Sequence, residues 1–122
     1  MLKNSVVTVV ILTYKRPHIL KRAIHSVLNQ TYPHFKICVH DDASGDETGE
    51  VVKEMSKKDS RISYYCNPQN LGCVRNSIQS WKQVDTPYFV ELCDDNLLLP
   101  RFLEEALNGF AKYPEAVASV SQ

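Results

Sequence analysis

What this chain has little of narrows its function before any motif is read. Neither sign of charge is in excess, with 14 Lys and Arg against 14 Asp and Glu, and no run of like charge is long enough to form a tail. That balance gives no hint of a nucleic-acid partner or an acidic membrane surface. The four cysteines, Cys38, Cys66, Cys73 and Cys93, form no C-x-x-C pair, and no histidine is placed to complete a zinc site. They read as reduced thiols. No apolar stretch is long enough to span a bilayer, and Met1-Leu2-Lys3-Asn4-Ser5 leads into a strand-like run without a signal-peptide pattern. The expected location is the cytoplasm or the inner face of a membrane. Repeats, low-complexity segments and linkers are also missing, and 122 residues is one domain's worth of chain.

What is present alternates. Val6 to Leu12 is a continuous β-branched run, as in a strand buried on both faces of a parallel sheet. Leu20, Ala23, Ile24, Val27 and Leu28 then share a helical face, with Pro17 in the opening turn. Phe35 to His40 reads as a second strand, and Ser44 and Glu47 have capping-box spacing ahead of a helix carrying Val51, Val52 and Met55. Ile62 to Tyr65 is a third strand, and Val74, Ile78 and Trp81 mark a third helix with Trp81 expected in the core. Tyr88 to Leu92 is a fourth strand, followed by a helix bearing Phe102, Leu103, Ala106, Leu107 and Phe110. Four βα units predict an α/β fold, a mostly parallel sheet of about four strands flanked by helices.

In such sheets ligands bind outside the carboxyl ends of the strands, where strand order reverses. Polar clusters fall at those ends: Thr13-Tyr14-Lys15-Arg16, Asp41-Asp42, the loop Asn67 to Gly72 with Arg75 and Asn76 behind it, and Asp94-Asp95-Asn96. The last is a turn by composition. Adjacent carboxylates, however, repel unless a cation or a retained proton offsets them, and Mg2+ or Mn2+ held by one or two carboxylates commonly also holds phosphate. No G-x-G-x-x-G follows the first strand and no G-x-x-x-x-G-K-S/T occurs, so neither a dinucleotide fingerprint nor a P-loop is present. Phosphate neutralisation would then fall to a metal on Asp94 and Asp95, with a base stacked on Tyr14 for roughly 1–3 kcal/mol. Asp42 would accept the imide N–H of uracil, where cytosine presents a lone pair.

These residues carry a resemblance. Val9 to Pro17, followed by Ser26-Val27-Leu28-Asn29-Gln30-Thr31-Tyr32, resembles the opening of the family 2 inverting glycosyltransferases, which have the GT-A fold. Asp41 to Thr48, Asn70-Leu71-Gly72 with Arg75-Asn76, and Asp94-Asp95-Asn96 through Pro100 resemble that family's later signatures in order, and the likeness within it is to the bacterial spore-coat type. The resemblance implies that residues 1–122 are the N-terminal, nucleotide-sugar-binding part of a truncated GT-A domain. It implies a uracil pocket bounded by Thr13 and Tyr14, Asp42 reading the base, Arg75 beside the nucleotide, Asp94 near ribose and sugar, and Asp95 as ligand of Mg2+ or Mn2+. The reaction implied is metal-assisted transfer of a sugar from a nucleotide-diphosphate sugar, a UDP-sugar by preference, to a saccharide or other hydroxyl acceptor with inversion, as in cell-surface polysaccharide synthesis.

Two features depart from the pattern. Cys93 stands where the common motif has an acid, and no general base is recognisable before Gln122, so the isolated chain is expected to bind donor without turning it over. A non-catalytic nucleotide-binding module is the rival reading. A receiver-type Mg2+ domain is disfavoured, because the first strand ends in Thr13-Tyr14 and the only lysine after Asp95 is Lys112, in a helix. Lys15 and Arg16 read equally as phosphate contacts or as solvated loop residues. His18, His25, His34 and His40 read as surface or strand-end residues; the acidic pair beside His40 would raise its pKa, but in a strand its side chain points opposite to Asp41. An uncovered sheet edge or apolar face would favour a homo-oligomer.

Overall fold

The computed structural model describes residues 5–119. Eight elements alternate: β1 (Val7–Thr13), α1 (Pro17–Leu28), β2 (Phe35–Asp41), α2 (Thr48–Lys58), β3 (Ile62–Cys66), α3 (Cys73–Trp81), β4 (Tyr88–Cys93) and α4 (Phe102–Lys112). All four strands are parallel, in the order β3-β2-β1-β4. Among the described residues no helix is long and apolar enough to cross a membrane.

β1 is buried along its whole length because it has a strand on either side and helices on both faces. Its odd-numbered residues Val7, Val9 and Ile11 join Phe35, Ile37 and Val39 of β2 and Leu92 of β4 in one apolar layer. Leu20, Ile24 and Val27 of α1, Val52 and Met55 of α2 and Leu103 of α4 close that layer. The loop between β4 and α4 is fixed to α1 by polar groups: Leu98 N–H donates to Ser26 Oγ at 3.1 Å, and Gln30 Nε2 donates to the Leu99 carbonyl at 2.7 Å. Gln30 Oε1 accepts from Leu103 N–H at 3.0 Å, and so also satisfies the opening of α4.

The opposite face differs from the expectation drawn from periodicity. There α3 lies alone, and it turns Asn76, Ser77 and Ser80 inward while Val74, Ile78 and Trp81 face out, with Trp81 46% exposed. The reason lies in the sheet. Glu91, in the middle of β4, points to this side, and its carboxylate accepts Ser77 Oγ–H at 3.1 Å and Trp81 Nε1–H at 2.6 Å. A buried-side carboxylate needs donors, so the polar stripe of α3 meets the sheet and Trp81 lies along its edge, its ring 6.4 Å from that of Phe89.

Two local expectations also fail. The Ser44/Glu47 capping box does not form, since Ser44 is engaged with Asp41, and Asp46 instead accepts from Thr48 N–H at 2.9 Å and Thr48 Oγ1–H at 2.5 Å. His40 lies at the end of β2, one of the two placements expected, but it is buried there, and burial lowers its pKa where a neighbouring acid would raise it. It lies beside the Tyr65 ring at 5.6 Å, and its Nδ1 has no partner.

Candidate functional site

The chain moves from β1 outward to β3 and then crosses to the far side of β1 to lay down β4. The order therefore reverses between β1 and β4, and the loops after these strands diverge over a crevice. Two of the turns at this rim use left-handed backbone at residues with a Cβ, Lys15 (φ 54°) and Ala43 (φ 63°). Such positions cost about 1–3 kcal/mol each and persist where surrounding contacts fix them. Here the contacts are Lys15 N–H donating to Ser44 Oγ at 2.7 Å and Ser44 Oγ–H donating to Asp41 Oδ1 at 2.5 Å. The second oxygen of Asp41 accepts Tyr64 Oη–H at 2.5 Å. Burial, and then this bond, push the Tyr64 phenol above its ordinary pKa.

Asp42, next in sequence, does different work. Oδ1 accepts from Leu71 N–H at 2.7 Å and Asn67 Nδ2 at 3.0 Å, and Oδ2 accepts from Gly72 N–H at 2.8 Å. One carboxylate thus clasps the loop that opens α3. Gly72 has φ 88°, open to glycine at no steric cost, and this conformation aims its N–H at Asp42. Asn67 Nδ2 also donates to Asn76 Oδ1 at 2.9 Å, and Asn76 Nδ2 donates to the His40 carbonyl at 3.2 Å. A carboxylate has about four acceptor positions, so Oδ2 of Asp42, with Gly72 N–H as its one donor, retains an unused one.

Across the crevice the two aspartates after β4 part company. Asp94 is 1% exposed, accepting from Thr13 Oγ1 at 2.8 Å and from Arg16 through Nε at 3.2 Å and Nη2 at 2.5 Å. The planar guanidinium meets the carboxylate with two nitrogens, as the fork geometry of arginine favours. Asp95 is 54% exposed at its side chain and lies 3.6 Å from Arg16 Nη1. It is the carboxylate with free acceptor positions. Among the described residues no three His, Cys, Asp or Glu side chains gather into a metal cage. Cys93, the last residue of β4, has its thiol pKa pushed up by burial first and then by Asp95, Cys73, Glu91 and Asp94. A neutral thiol is a poor ligand for a hard cation.

The crevice encloses a cavity of about 300 Å3 lined by Thr13, Tyr14, Arg16, Asp42, Asn70, Gly72, Cys73, Asn76 and Asp94, among others. The ring of Tyr14 is 42% exposed there, with Lys15 Nζ 5.2 Å from its centroid. Four of the six residues singled out from sequence, Thr13, Tyr14, Asp42 and Asp94, therefore line one cavity. Asp95 stands at its edge through Arg16. Arg75 is exposed on the first turn of α3 and is not part of the lining. Arg16, left open between phosphate contact and solvated loop, is the basic residue inside. Asn67 was not singled out by itself, although the polar run before Gly72 signalled a loop with work to do. A larger groove of about 760 Å3 runs along α1 and α2 and shares no lining residue with this cavity.

Fold and site together define an open, parallel α/β protein with a cavity lined by acidic residues at its switch point. The family model described as Glycosyl transferase family 2 matches residues 8–122, and the chain belongs to that family. It is 34% identical over 110 residues to the GalNAc(5)-diNAcBac-PP-undecaprenol beta-1,3-glucosyltransferase of Campylobacter jejuni, a match covering 85% of this chain and 35% of that protein. Among solved structures, S. aureus TarS 1–349 in complex with UDP-GlcNAc superposes with TM-score 0.82 at 19% identity, over 95% of this chain and 37% of that one. The mannosyltransferase PcManGT of Pyrobaculum calidifontis, in complex with GDP-Man and Mn2+, gives TM-score 0.76 at 19% identity, over 92% and 33%. The fold is GT-A. The chain spans about a third of the length of these relatives.

Proposed function

We propose that this chain supplies the donor-binding part of an inverting glycosyltransferase that moves a sugar from a UDP-sugar to an acceptor hydroxyl. The observation that carries the reading is a single cavity with an exposed aromatic ring and a spare carboxylate lone pair on one side and an arginine-carboxylate pair on the other. Tyr14 stacks on the base, and Thr13 bounds the same end. The free lone pair of Asp42 Oδ2 accepts the uracil imide N–H. Asp94 lies where ribose and sugar hydroxyls donate, and Arg16 offsets diphosphate charge in the place first assigned to Arg75. The solved relatives with UDP-GlcNAc and with GDP-Man and Mn2+ support a nucleotide-sugar ligand.

The residues present fit a divalent cation held by one carboxylate. Asp95 is exposed with free oxygens, whereas Asp94 is already neutralised, so Mg2+ or Mn2+ on Asp95 would complete its shell with diphosphate oxygens and water. Bound there, the cation would stabilise negative charge developing on the departing diphosphate. Arg16, paired with Asp94 and 3.6 Å from Asp95, acts on the same charge. In the transfer the anomeric carbon exchanges its diphosphate oxygen for the acceptor oxygen, and the acceptor's proton goes to a base not assigned among these residues.

Calorimetry tests the reading. UDP is expected to bind in the presence of Mn2+, more weakly with EDTA, and more tightly than CDP. Equal affinity for UDP and CDP would remove Asp42 from base recognition, and no binding of any nucleoside diphosphate would remove the donor site altogether.

A further inference from the structure

The polar contact between α3 and β4 fixes a register with a consequence one step further up. Glu91 receives Trp81 and Ser77, which are four residues apart on one face of α3. α3 returns from β3 to the start of a parallel strand, so it runs antiparallel to β4. Moving from Ser77 one turn toward the opening of α3 reaches Cys73, about 6 Å along the helix axis. Moving from Glu91 two residues toward the end of β4, on the same face, reaches Cys93, about 6.6 Å along the strand. The two displacements run in the same direction and agree within about 1 Å, so the thiols arrive at the same height on facing elements. Both line the 300 Å3 cavity. Cys73 is exposed and Cys93 half-buried.

We propose that Cys73 and Cys93 are a disulfide-forming pair across the wall of this cavity, and that peroxide closes the cavity by oxidising them. The exposed Cys73 sulfur attacks the peroxide, breaking the O–O bond and giving a sulfenic acid and water. Cys93 sulfur then attacks Cys73 sulfur, the S–O bond breaks, and a second water leaves. In balance two S–H bonds and one O–O bond are lost, one S–S bond forms, and two electrons and two protons pass to the peroxide. The bond pins the first turn of α3 to the end of β4, between Gly72 and Asp94, and so narrows the space offered to a ligand. Thiol reduction reverses it. Cys38 and Cys66 have other surroundings: Cys38 Sγ accepts Ser63 Oγ–H at 3.3 Å, and Cys66 lies at the end of β3.

The effect on ligand rests on the donor-site reading, whereas the bond itself does not, and the experiment separates them. The 122-residue protein is treated with hydrogen peroxide, free thiols are blocked, and the protein is digested without reductant. A linked peptide joining Cys73 and Cys93, lighter by two hydrogens than its separate parts, is the expected result. Recovery of both cysteines as blocked thiols, or pairing of either with Cys38 or Cys66, would overturn the pair. UDP is then titrated with Mn2+ into reduced, oxidised and re-reduced protein, with an expected loss of about tenfold or more on oxidation and recovery with dithiothreitol. Cys73→Ser is expected to bind UDP equally before and after peroxide. Unchanged affinity in the linked protein would refute closure. If the reduced protein binds no UDP, the donor reading fails while the linked peptide still decides the pair.

Discussion

Arg16 Nη2 lies 2.5 Å from Asp94 Oδ1 across the crevice between β1 and β4, and the same guanidinium extends to Asp95 at 3.6 Å. A half-exposed cation thus neutralises a buried acid and reaches its exposed neighbour. Arg16→Ala leaves Asp94 with Thr13 as its side-chain partner. We expect a loss of about 1–3 kcal/mol in urea unfolding together with weaker UDP binding. Arg16→Lys keeps the charge but not the two-nitrogen contact, and is expected to fall between.

Asp95→Ala separates stability from metal dependence. Its side chain is exposed and its nearest basic group is at 3.6 Å, so unfolding free energy should stay within about 0.5 kcal/mol of the parent. UDP binding in the variant should no longer respond to Mn2+ or EDTA. A variant that still responds would place the cation elsewhere.

Asp42→Asn keeps the shape and changes the chemistry. The amide replaces one acceptor oxygen with a donor, facing either Gly72 N–H or the pair Leu71 N–H and Asn67 Nδ2, which donate to the carboxylate in the parent. A loss of about 2–3 kcal/mol in thermal or urea unfolding is expected. Preference for UDP over CDP should shrink in the same variant. A variant of parent stability would show that the clasp on the Asn67 to Gly72 loop is weak.

His40 makes stability depend on pH in one direction. Burial lowers its folded pKa below 6.5, so below that pH the unfolded chain takes up a proton more readily than the folded one. The stability from keeping His40 neutral is complete above pH 6.5 and falls as pH drops through the folded pKa. Thermal melts from pH 7 to 5 should show a declining midpoint, and His40→Gln should flatten the decline over that window.

Ile78→Ser tests the orientation of α3. Were Ile78 in the core, truncation to a polar residue would cost several kcal/mol, about 2–5 by analogy with other large-to-small changes. Because it faces out with Val74 and Trp81, the unfolding free energy from urea titration should change by less than about 1 kcal/mol.

The strands and three of the helices could be read from apolar spacing because they build the layer around Val7, Val9 and Ile11, where period and burial agree. The orientation of α3 could not, since its apolar stripe obeys the same spacing and yet faces away. The clue was on another element: Glu91 sits inside the run Tyr88 to Leu92, and a carboxylate there makes one face of β4 polar and reverses the helix that covers it. Within the site, Thr13, Tyr14, Asp42 and Asp94 were accessible because each follows a strand. What Asp42 holds was not, because its donors are two backbone N–H groups and an amide about thirty residues on, and backbone groups leave no mark in composition. Arg16 and Arg75 were separable only by geometry: one ends the loop over the crevice, directly before α1, and the other rides the exposed side of a helix.

The central position of β1 gives the two walls of the cavity different lifetimes. Thr13 ends β1, inside the sheet, and Asp94 follows the edge strand β4, its N–H continuing the ladder to the Leu12 carbonyl at 3.1 Å. Their backbone is held by strand pairing between β1 and β4. The facing loop that carries Asn70 and Gly72 is attached chiefly through one side chain, and can open while the strands stay paired. Ligand would then enter by lifting a wall, over a floor that does not move.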